Sequence, residues 1–301
     1  MTGGRPLAVP VALVLVAILF GVGPCQGAGA IGWIEEFTGS PEQYQLIRRS
    51  ERVPVRLFMG LEAGDDVSVL RPEGRVRLWL GDGRSVELRG QGHAREVLLG
   101  LRTVPTVATN VMDWATRWFT ESHQESATRT VSVHVRGSKD ALSAALLERR
   151  ETPVAVSRQP LFLAWEGGLA PYNVLLRRFD DGAVMTSVDR LTYNRVRIDR
   201  GLDSPGRYEV TIGDSQGRSL RARLIAVPSQ QVPVAPGELR RDTLQGPARR
   251  TLAAAWLSGR EEGRWAFEAY QEVMMIGDEY RPAILLREQL ERGEGPTGAP
   301  D

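Results

Sequence analysis

Cysteine, lysine and histidine are nearly missing from this sequence, whose 301 residues include Cys25 alone, Lys139 alone, and His93, His123 and His134. A single thiol closes no disulfide within the chain, so stability must come from hydrophobic cores, which this length permits. Three dispersed histidines, with no His-x-x-x-His pair, supply no zinc cluster. The formal net charge is only +1. The arginine pairs Arg48 and Arg49, Arg149 and Arg150, Arg240 and Arg241, and Arg249 and Arg250 are scattered along the chain. With no concentrated basic face to neutralise phosphates, nucleic-acid binding is not expected.

Long apolar runs are also absent, with one exception. Arg5 precedes LAVPVALVLVAILFGVG, which is about 17 residues long and near the lower limit for a membrane span. The small-residue segment PCQGAGA follows, completing the three-part layout of a secretory signal. Ala28-Gly29-Ala30 fits the A-x-A cleavage pattern, so cleavage is expected between Ala30 and Ile31. Residues 1–30 carry one charged side chain, Arg5, so the mature chain has no net charge and no cysteine. The expected location is periplasmic or otherwise extracytoplasmic. A retained membrane anchor, or a lipid on Cys25, is the alternative, although Pro24 stands where a lipoprotein signal wants Gly or Ala.

The rest of the chain changes pattern several times. Over 31–101 apolar residues alternate, and VPVRLFM, DDVSVL, RVRLWL and SVELRG read as short strands. Between them Gly64, Asp65, Gly74, Asp82 and Gly83 read as turn residues, with Asp82-Gly83 suited to a two-residue hairpin of positive φ. Residues 102–157 read as a helix and an irregular connector. Val107, Val111, Trp114 and Trp118 share one helical face, expected to pack on the preceding strands. KDALSAALLERR could hold a further short helix.

Over 158–228, LFLAW, YNVLLRRF, AVMTSV, NRVRI, YEVTIG and LRARLIAV give six strands of an immunoglobulin-like β-sandwich. Trp165 would be its core tryptophan, and Pro205, Gly206 and Tyr208 resemble a tyrosine corner. Residues 229–250 read as a linker rich in Pro and Gln. Three short helices are expected over 251–293, stopped by Gly259, Gly277 and Gly293, with Trp265, Ala269 and Val273 on one face. Residues 294–301 read as a disordered tail.

Sites for chemistry are few. Gly81-Asp82-Gly83 lacks the third glycine and following helix of a dinucleotide loop. Asp65, Asp66 and Asp82 lack the alternating spacing of a calcium loop. The neighbours Glu35 and Glu36, like Asp180 and Asp181, would point to opposite sides of a strand, which separates their carboxylates. No Gly-x-Ser-x-Gly elbow is read, and with no cysteine in the mature chain only Ser or Thr could act as a simple nucleophile. Neither a cofactor nor an enzymatic activity is expected.

One resemblance to a known family is carried by residues of the first β region. Leu61, Gly64, Asp65 and Val67, then Gly74, Val76 and Leu78, then Asp82, Gly83, Ser85, Val86 and Leu88, resemble the extracytoplasmic domain of FecR-type iron-transport regulators. The match covers about Gly32 to Gly90. Arg84 intrudes between Gly83 and Ser85, and the sigma-regulating segment of full-length members has no counterpart before the apolar run. The resemblance therefore implies an extracytoplasmic β domain with no direct sigma-factor contact.

The expected fold is mainly β and multidomain, a FecR-like β domain plus an immunoglobulin-like β-sandwich with a short α-helical C-terminal segment. The expected function is that of an exported, non-enzymatic binding or scaffold protein. Its partner would be an envelope or membrane protein, or cell-wall glycan, met by open strand edges and by the apolar face of the C-terminal helices. Two other readings stay open: a periplasmic sensor accessory passing a ligand signal to a membrane partner, and a cell-wall enzyme with an unrecognised site.

Overall fold

The computed structural model describes residues 30–90, 92, 98, 107–129, 141–149, 151–156, 160–240 and 246–300. Arg5, Pro24, Cys25, His93, His134 and Lys139 lie outside the described residues, as does the His123 side chain. The architecture is mostly β, with several sheets and a few helices. Among the described residues no helix is long and apolar enough to cross a membrane.

The first β unit contains β1 (Gly32–Phe37), β2 (Tyr44–Arg48), β3 (Glu51–Val53), β4 (Gly60–Leu61), β5 (Asp66–Val69), β6 (Arg75–Leu80) and β7 (Ser85–Arg89). They form a four-stranded sheet, β4-β1-β6-β7, and a three-stranded sheet, β3-β2-β5. Two of these strands, GWIEEF and YQLIR, carry no clear alternation and escape a period-two reading. Conversely, VPVRLFM is not one strand. Pro54 follows β3, and Phe58 takes a left-handed φ of +59° while its N–H reaches the Ile34 carbonyl at 2.7 Å. The chain therefore crosses β1 in a turn before β4 begins.

Tyr44 ties the two small sheets together. Its buried hydroxyl donates to the Thr38 carbonyl at 2.5 Å and accepts the Arg75 N–H at 3.0 Å. Across β1 and β6, Trp33 faces Trp79 with ring centroids 4.6 Å apart. Backbones approach so closely here that a Cβ on Gly32 would lie 2.3 Å from the Trp79 carbonyl oxygen.

The second β unit contains β8 (Thr152–Ala155), β9 (Leu161–Ala164), β10 (Tyr172–Arg178), β11 (Val184–Leu191), β12 (Arg195–Ile198), β13 (Gly206–Gly213) and β14 (Ser219–Val227). A five-stranded sheet, β11-β10-β13-β14-β8, accompanies a two-stranded sheet, β12-β9. All six expected strands are found. The seventh, β8, comes from the segment expected to be an irregular connector, and it pairs parallel to β14. In KDALSAALLERR the described part holds only a short 3-10 turn, Ala145–Leu147. Trp165 is buried and meets Tyr172 edge-on at 5.3 Å.

Both β units contain the same hairpin turn. Leu80 N–H donates to Arg84 O and Gly83 N–H to Leu80 O, at 2.8 and 2.9 Å. Likewise Asp214 N–H donates to Arg218 O and Gly217 N–H to Asp214 O, at 3.0 and 3.1 Å. Each is a three-residue loop whose last residue is a left-handed glycine, with φ of +86° at Gly83 and +79° at Gly217. This corrects the two-residue hairpin expected at Asp82-Gly83: only Gly83 is left-handed, and Gly81 completes the loop.

The helices are α1 (Val107–Arg129), α2 (Gly237–Arg240), α3 (Gly246–Ser258), α4 (Ala266–Met274) and α5 (Arg281–Glu291). On α1, Val111, Trp114 and Ala115 are buried, and Phe119 meets Phe58 at 4.9 Å, so the stripe packs on the first β unit. The segment read as a linker already contains α2 and the start of α3. Trp265, Ala269 and Val273 are buried, as their spacing predicts. They face the chain's own core, which corrects the idea that this apolar surface is free for a partner. Buried side chains form one continuous cluster from Ile31 through the sandwich to Leu290.

The segment after α5 is ordered through Pro300. Trp114 Nε1–H donates to Thr297 O at 2.9 Å and Trp256 Nε1–H to Pro300 O at 2.6 Å. Composition suggested a disordered tail; two indole donors satisfy its backbone instead.

Candidate functional sites

The turn residues singled out by sequence are structural. Gly64 has φ of +89°, the left-handed region that glycine enters without penalty. Asp65, 1% exposed, accepts the Glu62 N–H at 2.8 Å and receives Arg48 Nε and Nη2 at 3.0 and 2.7 Å. Arg48 Nη2 also reaches the Gly60 carbonyl at 2.7 Å. The Gly-Asp-x-Val pattern is thus a turn fastened to β2 by a buried ion pair. Gly74 is needed for space, since its Cβ would lie 2.6 Å from Val69 Cγ1. Asp82 is an exposed turn residue that accepts the Arg84 N–H and guanidinium.

Tyr208 lies at the place expected of a tyrosine corner. Its fully buried hydroxyl donates to the Ser204 carbonyl at 2.9 Å and lies 3.1 Å from Asp203 Oδ1. Pro205 and Gly206, with φ of +149° at the glycine, carry the chain between them. At the expected cleavage position Ala30 is buried and Ile31 is fully so; Ile31 N–H donates to Leu61 O at 2.7 Å.

Sequence patterning assigns no nucleophile elbow, yet Gly213-Asp214-Ser215-Gln216-Gly217 does spell Gly-x-Ser-x-Gly. The structure gives it another role. An elbow joins a strand to a helix, whereas this segment, with Ser215 exposed, joins β13 to β14. Ser215 Oγ donates to Leu169 O at 3.0 Å, and Asp214 accepts the Leu169, Gln216 and Arg218 N–H groups.

Glu35 and Glu36 depart from the sequence expectation. The β1–β6 register steps from Ile34 opposite Leu78 to Glu36 opposite Arg77, leaving Glu35 as the extra residue of a β-bulge. Alternation fails there, and the adjacent carboxylates act on the same neighbours. Glu36 Oε2 pairs with Arg77 Nη1 at 3.2 Å, and its Oε1 accepts the Arg281 N–H at 3.2 Å. A strand carboxylate thereby caps the N-terminus of α5, where anions are favoured.

Burial pushes the Glu35 carboxyl above its usual range; Arg77 opposes this shift and Glu36 adds to it. Burial, then the charges of Glu35 and Glu36, also raise Tyr280, whose hydroxyl has no hydrogen-bond partner among the described residues. Chemically this cluster can hold a proton, but Glu36 is already committed to Arg77 and α5. Among the described residues no group of three His, Cys, Asp or Glu side chains could hold a metal ion.

Strand edges are treated unequally. On β9 the Phe162 N–H donates to Gln271 Oε1 at 2.8 Å, and Gln271 Nε2 donates to Phe162 O at 2.9 Å. The buried amide of α4 thus pairs with β9 as another strand would. Glu268, also buried, accepts the Ala155 N–H of β8 at 2.9 Å. The outer edge of β11 has no strand beside it among the described residues, and Val184 there is 61% exposed, with Tyr193 beyond it 79% exposed.

The class that this geometry defines is a β-sandwich joined through helices to a second, smaller β unit. No family model matches the chain, and no curated protein sequence does. Among solved structures it is similar to three that contain immunoglobulin or fibronectin-type modules. One is Dpr1 IG1 bound to DIP-eta IG1, at 20% identity over 30% of this chain and 100% of that chain, with TM-score 0.19. Another is the ZIG-8–RIG-5 IG1–IG1 heterodimer, at 17% identity over 31% of this chain and 90% of that chain, with TM-score 0.21. A third is the fibronectin(III)-like modules of Clostridium thermocellum CbhA, at 10% identity over 71% of this chain and 97% of that chain, with TM-score 0.22. At such TM-scores the fold assignment rests on sheet order and register.

Proposed function

We propose that this chain is an exported, non-enzymatic binding or scaffold protein of the bacterial envelope, with a FecR-like β unit and an immunoglobulin-like sandwich. Its partner is an envelope or membrane protein, or cell-wall glycan, and the outer edge of β11 is the docking element. The observation that carries this reading is the unequal treatment of edges. Gln271 and Glu268 occupy β9 and β8, while among the described residues no strand pairs with the outer edge of β11 and the Val184 side chain is exposed. An open edge invites uncontrolled pairing, and native proteins guard such edges with bulges and charge. Two register shifts against β10, and the exposed Asp189 and Arg190, supply that guard and favour selective strand addition.

Val184→Glu tests the assignment. Its cost in stability is within about 0.5 kcal/mol, as for other exposed positions. After cross-linking in the intact envelope, the native chain recovers a defined partner and Val184→Glu does not. A variant that keeps its partner removes β11 from the interface. Mass spectrometry of the N-terminus checks export, with Ile31 as the expected first residue.

A further inference from the structure

Arginines that are scattered in sequence become neighbours on the outer face of the five-stranded sheet. Along β14, Ala222 and Leu224 are buried, while Arg221 and Arg223 are exposed on the other side. Register sets Arg223 opposite Glu209 of β13, which in turn stands opposite Arg177 of β10. Two residues along the strand in one direction, Arg221 is opposite Thr211, itself opposite Leu175; in the other direction Ile225 is opposite Arg207. On this face β10, β13 and β14 thus carry Arg177, Arg207, Arg221 and Arg223, against one carboxylate, Glu209.

The four guanidiniums are unequally partnered. Arg177 takes Glu209, its Nε and Nη2 donating to Oε1 at 3.1 and 2.5 Å. Arg207 Nη2 donates to Asp180 Oδ1 at 2.6 Å, but both side chains are exposed, so the pair is weak and open to exchange. Arg223, although directly across from Glu209, meets no carboxylate among the described residues; its guanidinium lies 4.6 Å from the centre of the Phe179 ring. The Arg207 guanidinium lies 5.1 Å from the same ring centre. Phe179 attracts both cations and neutralises neither. Arg221 has no hydrogen-bond or ion-pair partner among the described residues.

We propose that this face docks an extended acidic segment of a partner protein, laid along β14 with its carboxylates on Arg221 and Arg223. Charge complementarity selects the acid, since two guanidiniums lack a carboxylate and a third holds one only in an exposed pair. Spacing selects the extended chain: alternate residues of a strand lie about 6.8 Å apart, so carboxylates two residues apart in an extended segment match Arg221 and Arg223. Leu175 and Ile225, half-buried on the same face, add apolar contact beside the charges. The amount of charge selects a short segment over a membrane, because an anionic lipid surface is met by about 4–8 clustered basic residues. Strand β14 is three strands, about 14 Å, from β11, so this face goes beyond the docking edge and is separable from it.

Fluorescence anisotropy of the full chain with a labelled peptide alternating Glu and Thr over about eight residues, within the ordinary length of a strand, tests the proposal. Binding saturates, and it weakens as salt is raised. Arg221→Gln combined with Arg223→Gln weakens it about tenfold, each exposed pair contributing a few-fold, and folding tolerates both changes because the positions are exposed. Val184→Glu binds the peptide as the native chain does. A Glu-Glu-Thr-Thr repeat keeps the charge, loses the two-residue spacing and binds more weakly. Equal affinity for the two peptides overturns the extended register. Undiminished binding by the double arginine variant, or loss of binding in Val184→Glu, overturns the face. Tighter binding of phosphatidylglycerol vesicles or of polygalacturonate than of the alternating peptide overturns the choice of a protein segment, and absence of saturable peptide binding overturns the proposal as a whole.

Discussion

The two β units share one hairpin turn but are fastened to the C-terminal helices by different chemistry. The sandwich is held by α4, whose Gln271 and Glu268 satisfy backbone groups at two strand edges. The first β unit is held by α5 through charge, with Glu36 reaching the Arg281 N–H beside Glu35, Arg77 and Tyr280. An amide bonded to a backbone does not titrate. The Glu35 carboxyl, pushed above its usual range by burial, does, so a proton-linked group stands at the joint to the first unit, and the Gln271 contact is not one.

Uncovering the sandwich edge should have the largest effect. Gln271→Leu leaves the Phe162 N–H and carbonyl buried without partners, at about 1–3 kcal/mol each, so a loss of about 3 kcal/mol is expected in urea unfolding. A loss below 1 kcal/mol would mean that water replaces the amide and that α4 does not close the edge. Glu36→Ala comes next. It removes the cap of α5 and the partner of Arg77, for a loss of about 2 kcal/mol.

Gly83→Val and Gly217→Val probe what the two units share. Each forces a β-branched residue into left-handed backbone, at about 2 kcal/mol, and equal losses are expected because nothing lies within 4 Å of a Cβ at either position. A marked inequality in their chemical-denaturation midpoints would show that the turns are not equivalent.

Glu35→Gln gives the smallest shift and the most specific one. The Glu35 carboxyl is raised above its unfolded value of about 4.3, so stability falls as pH climbs from that value and the loss is complete once pH passes the raised one. Its favourable contribution is complete below the unfolded value and disappears as pH rises. The glutamine variant should therefore melt higher than the native chain at pH 7 and at the same temperature near pH 4. Identical curves at both pH values would remove Glu35 from the proton-linked joint.

Much of the fold is legible in local pattern. Glycines at 64, 83 and 217 mark left-handed turns because only they enter that region freely, and alternation locates all six strands expected between 158 and 228. The spacing of Trp265, Ala269 and Val273 gives a helix face. Legibility fails where partners lie far apart in sequence. Strand β1 is hidden because both its faces are buried, so its residues do not alternate. The segment Thr152–Ala155 becomes a strand only because β14 stands ready to pair with it.

Sequence alone determined the left-handed glycines, the periods and the lack of a disulfide within the chain, since these depend on each residue's own dihedral freedom and side-chain type. Tertiary structure decided the rest. It put Glu35 and Glu36 onto common neighbours through a bulge, turned Gly213-Asp214-Ser215-Gln216-Gly217 into a hairpin, and closed two strand edges with side chains of α4. It also ordered the segment after α5, because two indole N–H groups and the backbone carbonyls of Thr297 and Pro300 must all find partners once buried.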